Sequence, residues 1–172
     1  MTRKEVQIIS NNRPEMMRKM YYQSPVGRLE LTADEKGLCS LAFGETEQYG
    51  EVQEEETPFL KSVCGQLQEY FAGKRKKFEV QLSLHGTDFQ LRDWQALLRI
   101  PYGETRSYGE IARQIGCPRG SRAVGMANRN NPVAIIVPCH RVIGSDGSLT
   151  GYMGKNKSLD IKEYLLKLEG AL

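Results

Sequence analysis

The segment that most constrains the fold runs from residue 107 to 129. Ser107-Tyr108-Gly109-Glu110 has the pattern of a capping box. It opens a helix through Ile111, Ala112 and Ile115, which Gly116-Cys117-Pro118 breaks. A second short helix is expected to begin near Gly120 or Ser121 and run through Ala123, Val124, Met126 and Ala127. Helix, tight glycine-containing turn, helix is the helix-turn-helix pattern, a frequent device for presenting a helix to DNA. The second helix is rich in small residues (Gly120, Ser121, Ala123, Gly125, Ala127), with Arg119, Arg122 and Arg129 among them. A helical glycine costs up to about 1 kcal/mol relative to alanine. Close packing against another helix would offset that cost, and so would close approach to a grooved partner.

The flanking sequence divides in two. Residues 21–43 read as strands around the turn Asp34-Glu35-Lys36-Gly37. An acidic connection follows over 45–56. Thr57-Pro58 then opens a helix whose apolar face is Leu60, Val63, Leu67, Tyr70 and Phe71. A strand is expected through Phe78, Val80, Leu82 and Leu84. Residues 1–86 therefore read as a small α/β domain, and 87–172 as a second domain. That second domain opens with a capping box at Thr87 and Gln90, and Phe89, Leu91, Trp94, Leu97 and Leu98 line its first helix. Its last helix, Ser158 to Glu169, is expected to turn Leu159, Ile161, Leu165 and Leu168 inward.

Charge follows the same division. Residues 101–172 carry ten basic and six acidic side chains, net +4, against −1 for residues 1–100. Arginine suits phosphate contact, although a solvated surface accounts for the charge equally well. No apolar run approaches the roughly 20 residues that span a bilayer. The opening MTRKEVQIIS lacks the apolar stretch of a secretion signal, so a cytoplasmic location is expected, nucleoid-associated in a prokaryote. Cys39, Cys64, Cys117 and Cys139 form no CxxC pair, and with His85 and His140 they show no zinc-ligand spacing. Cys39, Cys64 and Cys117 are expected to be ordinary thiols, and His85 a structural residue.

The chemistry concentrates in NPVAIIVPCHRVIG, residues 131–144. An expected apolar strand, Val133 to Val137, ends at Pro138, and Cys139, His140 and Arg141 follow. A thiol becomes a strong nucleophile as the thiolate, which a basic neighbour favours. Adjacent side chains on a straight strand point to opposite faces, so direct Cys139–His140 cooperation needs a turn or a bridging water. A buried structural cysteine beside a satisfied histidine fits the bare tripeptide as well.

PCHRV, the loop GSDGSLTGY after it and RAVGMANRNNP before it closely resemble the methylated-DNA–protein-cysteine methyltransferases. The likeness covers residues 87–172 almost continuously. It implies an α/β (α+β) protein with a ribonuclease H-like N-terminal domain and a mainly helical, winged helix-turn-helix-like C-terminal domain. It implies single-turnover transfer of an alkyl group from O6-alkylguanine in DNA to Cys139. His140 would act on Cys139 through a water, Glu169 would orient His140, and Asn131 would brace the turn before the active site. Arg122 would enter the duplex behind a flipped nucleotide. Tyr108 would help rotate the phosphate and donate to ring nitrogen 3 of the guanine. Ser121, Ala123, Gly125 and Arg129 would complete the DNA-binding surface. The carbonyls of Cys139 and Val142 would accept the exocyclic amine, and Tyr152 would wall the base pocket. At Met153 many relatives carry serine, and the backbone N–H there would reach the guanine oxygen. The resemblance implies no cofactor or metal. The partner would be double-stranded DNA containing alkylated guanine, met through the minor groove by a monomer, with no membrane. Two other readings are a DNA-binding module in which Cys139 is structural, and a cysteine hydrolase built on Cys139 and His140. The first leaves the Cys139, His140 and Glu169 set unexplained, and the second leaves Arg122 and the small-residue helix unexplained.

Overall fold

The computed structural model describes residues 14–46, 48–150 and 158–172. The chain divides into two compact units, Met1–Gly86 and Thr87–Leu172.

In the first unit, β1 (Arg18–Ser24), β2 (Gly27–Asp34) and β3 (Gly37–Phe43) form an antiparallel meander, and β4 (Gln53–Glu54) adds a short parallel edge in the order β3-β2-β1-β4. The apolar pattern over 21–43 thus covers three strands rather than two runs about one turn, because Pro25-Val26 supplies a further hairpin turn. The acidic 45–56 connection includes β4 at the sheet edge. Helix α1 (Pro58–Phe71) packs on β1 and β2 and buries Leu60, Val63, Cys64, Leu67 and Tyr70. Its start is set by Thr57, whose hydroxyl accepts the Leu60 N–H at 3.2 Å. The strand expected over 78–84 is not formed. That segment meets β3 only at Leu38, through Leu38 N–H to Gln81 O and Ser83 N–H to Leu38 O, a single bridge rather than a ladder.

In the second unit, α2 (Asp88–Leu98) and α3 (Tyr108–Gln114) each begin with a complete capping box, at Thr87/Gln90 and Ser107/Glu110. Helix α4 (Ser121–Arg129) lies against both, and α5 (Ser158–Leu168) packs on a 3-10 turn at Cys139–Arg141. A two-stranded parallel ladder joins β5 (Arg106–Ser107) to β6 (Val142–Ile143). The turn between α3 and α4 depends on two glycines. Gly116 has φ +81°, and a Cβ on Gly120 would lie 2.9 Å from Cys117 O.

Two helix faces differ from the expected register. On α2, Leu98 is exposed while Asp93 is fully buried beside Trp94, Ala96 and Leu97. On α5, Leu159 is exposed, and the buried positions are Lys162, Leu165 and Leu166, followed by Glu169. Apolar spacing alone favoured Leu159. Polar partners inside the unit draw Lys162 and Glu169 inward instead.

Candidate active site

Val133–Val137 is not a strand. Val137 N–H returns to Val133 O at 3.0 Å, and Ile136 N–H bonds Ala134 O at 2.8 Å. The second bond closes a γ-turn about Ile135, whose φ is +72°. This is a costly conformation for a β-branched residue, on the order of 1–3 kcal/mol, held here by complete burial of the segment. Cys139 N–H then bonds Val137 O at 2.8 Å, an inverse γ-turn about Pro138 (φ −84°, ψ 64°). The chain enters the 3-10 turn at once, and Cys139, His140 and Arg141 are all buried. Five apolar residues ending in proline read as a strand by composition, and periodicity cannot reveal consecutive tight turns in a fully buried run.

Asn131 organises these turns. Its carbonyl oxygen accepts Val133 N–H at 3.0 Å, and its amide nitrogen donates to Val137 O at 2.8 Å and to Cys139 Sγ at 3.2 Å. Burial pushes the Cys139 thiol up to about 11, against the Asn131 hydrogen bond and the Lys162 charge, which both favour the thiolate. The resting group is therefore the thiol, and its reaction needs a base.

The next residue, His140, carries an imidazole. Its Nε2 lies 2.8 Å from Glu169 Oε2. Arg141 Nε and an outer guanidinium nitrogen reach the two oxygens of Glu169 at 2.7 and 3.0 Å, and its other outer nitrogen donates to Ile100 O at 2.7 Å. His140 and Arg141 hold the Glu169 carboxyl down to about 2, although burial alone would raise it. An ionised carboxylate can only accept, so His140 carries its proton on Nε2. Nδ1 is then left with its lone pair free, and it has no hydrogen-bond partner among the described residues. Burial lowers the imidazole pKa, against the pull of Glu169, so the ring rests neutral.

Five expected site residues, Tyr108, Ser121, Arg122, Gly125 and Arg129, meet at one surface cleft of about 350 Å³, which Met126 and Thr150 also line. Ser121, Arg122, Ala123 and Arg129 are exposed, whereas Gly125 faces the Tyr108 ring. Half-buried Tyr108 donates its hydroxyl to Thr150 O at 2.7 Å. Val142 is buried, and its carbonyl accepts Lys162 Nζ at 2.6 Å. Tyr152 and Met153 lie outside the described residues.

Sequence reasoning missed three groups here: Arg141, Lys162 and Asp93. Arg141 was adjacent to the motif, but only the fold shows that it grips Glu169. Lys162 and Asp93 stand on helices as ordinary surface-type residues, and nothing in their spacing marks them as buried.

Among the described residues, one group has metal-ligand chemistry, Asp34, Cys39 and His85 in the first unit, with ligand atoms within 4.8 Å of one another. Its members are already bonded. Asp34 accepts the N–H groups of Lys36 and Gly37 and the Ser83 hydroxyl, and Ser83 Oγ lies 3.3 Å from His85 Nε2. Burial and the Asp34 charge push the Cys39 thiol to about 12. These bonds tie the β2–β3 turn to residues 83–85. Cys64 is also buried, and Cys117 is partly exposed.

Comparison with known proteins agrees for both units. Residues 88–171 match the model for the 6-O-methylguanine DNA methyltransferase DNA binding domain, and residues 17–84 match the ribonuclease-like domain of the same proteins. The chain is 53% identical to a methylated-DNA–protein-cysteine methyltransferase of Methanosarcina acetivorans, over 88% of this chain and 99% of the relative. It is 46% identical to the constitutive enzyme of that name from Bacillus subtilis, over 86% and 92%. Among solved structures, Mycobacterium tuberculosis O6-methylguanine methyltransferase superposes with a TM-score of 0.83 at 46% identity, covering 91% of this chain and 94% of that one. The Mycobacterium tuberculosis OGT in complex with DNA gives 0.79 at 50% identity, covering 90% and 92%. Sequence and fold agree along both units, and the chain belongs to the methylated-DNA–protein-cysteine methyltransferase family.

Proposed function

We propose that this protein repairs DNA by direct reversal, moving the alkyl group of an O6-alkylguanine onto Cys139 Sγ once per chain. The observation that supports this reading is the placement of the Cys139 thiol. Asn131 holds it, and the residue that follows it in the chain, His140, has its Nε2 committed to an ionised Glu169.

The alkyl carbon is shielded inside a stacked duplex, so the nucleotide must leave the stack, at a cost of a few kcal/mol. Arg122 on α4 fills the gap, and Ser121, Ala123, Gly125 and Arg129 let the helix approach the minor groove closely. The flipped base lies against Tyr108 and the Val142 carbonyl, with Cys139 O as a second acceptor for its amine. His140 Nδ1 takes the thiol proton through a water. The thiolate attacks the alkyl carbon, the S–C bond forms and the C–O6 bond breaks, with its electron pair leaving on guanine. Tyr108 donates a proton toward ring nitrogen 3 and recovers one from His140 through solvent. One proton and one alkyl group have exchanged places. The thioether is a poor leaving group, so Cys139 is not regenerated.

DNA contact and chemistry belong to residues 87–172, and residues 1–86 form a separate domain. No helix among the described residues is long and apolar enough to cross a membrane. The protein acts as a monomer in the cytoplasm.

Intact-mass and peptide mass spectrometry, after mixing with excess duplex containing one O6-methylguanine, tests the proposal. The expected result is one added methylene per chain, on Cys139. DNA binding without that gain would instead mark the chain as a sensing module.

A further inference from the structure

Lys162 is the one lysine whose side chain is fully buried among the described residues. A buried ammonium is costly unless hydrogen-bonded, and a solvent-facing position on α5 would avoid the cost. Two backbone carbonyls receive it, Val142 O at 2.6 Å and Thr150 O at 3.1 Å. Both belong to the wall of the proposed base pocket. Thr150 O also accepts the Tyr108 hydroxyl at 2.7 Å, and Lys162 Nζ lies 5.7 Å from the centroid of the Tyr108 ring. Tyr108 is therefore satisfied by Thr150 O, and Lys162 donates to the same carbonyl.

We propose that Lys162 is a positioning residue for base recognition: it fixes the Val142 and Thr150 carbonyls to α5, so the pocket keeps its acceptor geometry when Tyr108 leaves Thr150 for the base. A carbonyl oxygen has two lone pairs. Lys162 occupies one at Val142, which aims the other at the exocyclic amine of a flipped guanine. When Tyr108 turns away, Lys162 remains on Thr150 O and keeps that carbonyl from being orphaned. Burial lowers the Lys162 pKa to about 8, so the group is still mainly protonated at neutral pH.

The inference rests on the alkyl-transfer reading, and the experiment separates the two. Single-turnover transfer to Cys139 is measured on duplexes carrying O6-methylguanine or O6-methylhypoxanthine, which lacks the exocyclic amine. The wild-type protein is expected to favour the guanine by about three- to tenfold, the worth of one hydrogen bond. In Lys162→Met the ratio is expected to fall below about two, with the guanine rate reduced and duplex affinity little changed. Lys162→Gln serves the same comparison if the methionine variant does not fold. A variant that slows both substrates equally, leaving the ratio intact, would reduce Lys162 to a packing role. So would a wild-type protein that does not distinguish the two bases. Absence of transfer from either base to wild-type Cys139 would instead overturn the alkyl-transfer reading.

Discussion

Glu169 lies 2.8 Å from His140 Nε2 at a point where neither side chain reaches solvent. Arg141 completes the cluster by gripping both carboxylate oxygens. Removing one member of such a buried set strands the other charges, at a cost of about 3–5 kcal/mol. Glu169→Gln is therefore expected to lower stability by that order, read from chemical denaturation. It is also expected to slow alkyl transfer by about 10²–10⁴, the usual worth of a positioned base. An unchanged rate would remove Glu169 from the mechanism.

The same cluster gives a pH dependence. The ordinary carboxyl value of 4.5 falls to about 2 in the folded protein, so the folded state holds this proton less tightly than the unfolded state does. The stability it contributes is fully present above about 4.5 and is lost as pH falls toward 2. Thermal melts from pH 6 to 3 should show a steep acid limb, and Glu169→Gln should flatten it.

Asp93 has the opposite sign. Burial raises its pKa from 3.8 to about 7. The Asn128 amide, with its nitrogen facing Asp93, donates to Asp93 Oδ2 at 2.5 Å. The folded state binds this proton more tightly, so its contribution is full below about 3.8 and is lost as pH rises through 7. Asp93→Asn is expected to raise Tm at pH 8 by at least about 2–4 °C, the equivalent of 1 kcal/mol in a chain of this size. At pH 4 the gain should vanish. An equal gain at both pH values would show that the proton is not involved.

Arg122 is exposed on α4 at the mouth of the Tyr108 cleft. If it fills the gap behind a flipped nucleotide, Arg122→Ala should slow transfer from duplex by about 10–100-fold, in line with a flipping cost of a few kcal/mol. Reaction with the free alkylated base, which needs no flipping, should be unchanged. Equal losses on both substrates would place Arg122 in the base pocket instead.

Cys139→Ser should abolish the mass gain and keep duplex binding within about threefold, because the hydroxyl is a far weaker nucleophile and Asn131 can still donate to it. Loss of binding in gel-shift titrations would show that the thiol shapes the DNA surface as well.

The local sequence determined the helix starts. Thr57, Thr87 and Ser107 cap α1, α2 and α3 because capping needs only residues three apart, and Gly116 and Gly120 mark the turn before α4 for an equally local reason. The motif around Cys139 was legible as well, since its residues are contiguous. Only the tertiary structure decided what the apolar run before it became. Ile135 at φ +72° is locally unfavourable, and it persists because burial and Asn131 hold the turns in place. The same is true of Lys162 and Asp93. Their helical positions look exposed by pattern, and burial follows from partners that lie 12 or more residues away in sequence: Val142 and Thr150 for Lys162, and Asn128 for Asp93. Local rules act over three or four residues. The burial of a charge depends on where the folded chain brings a matching polar group, and residue order alone does not state that.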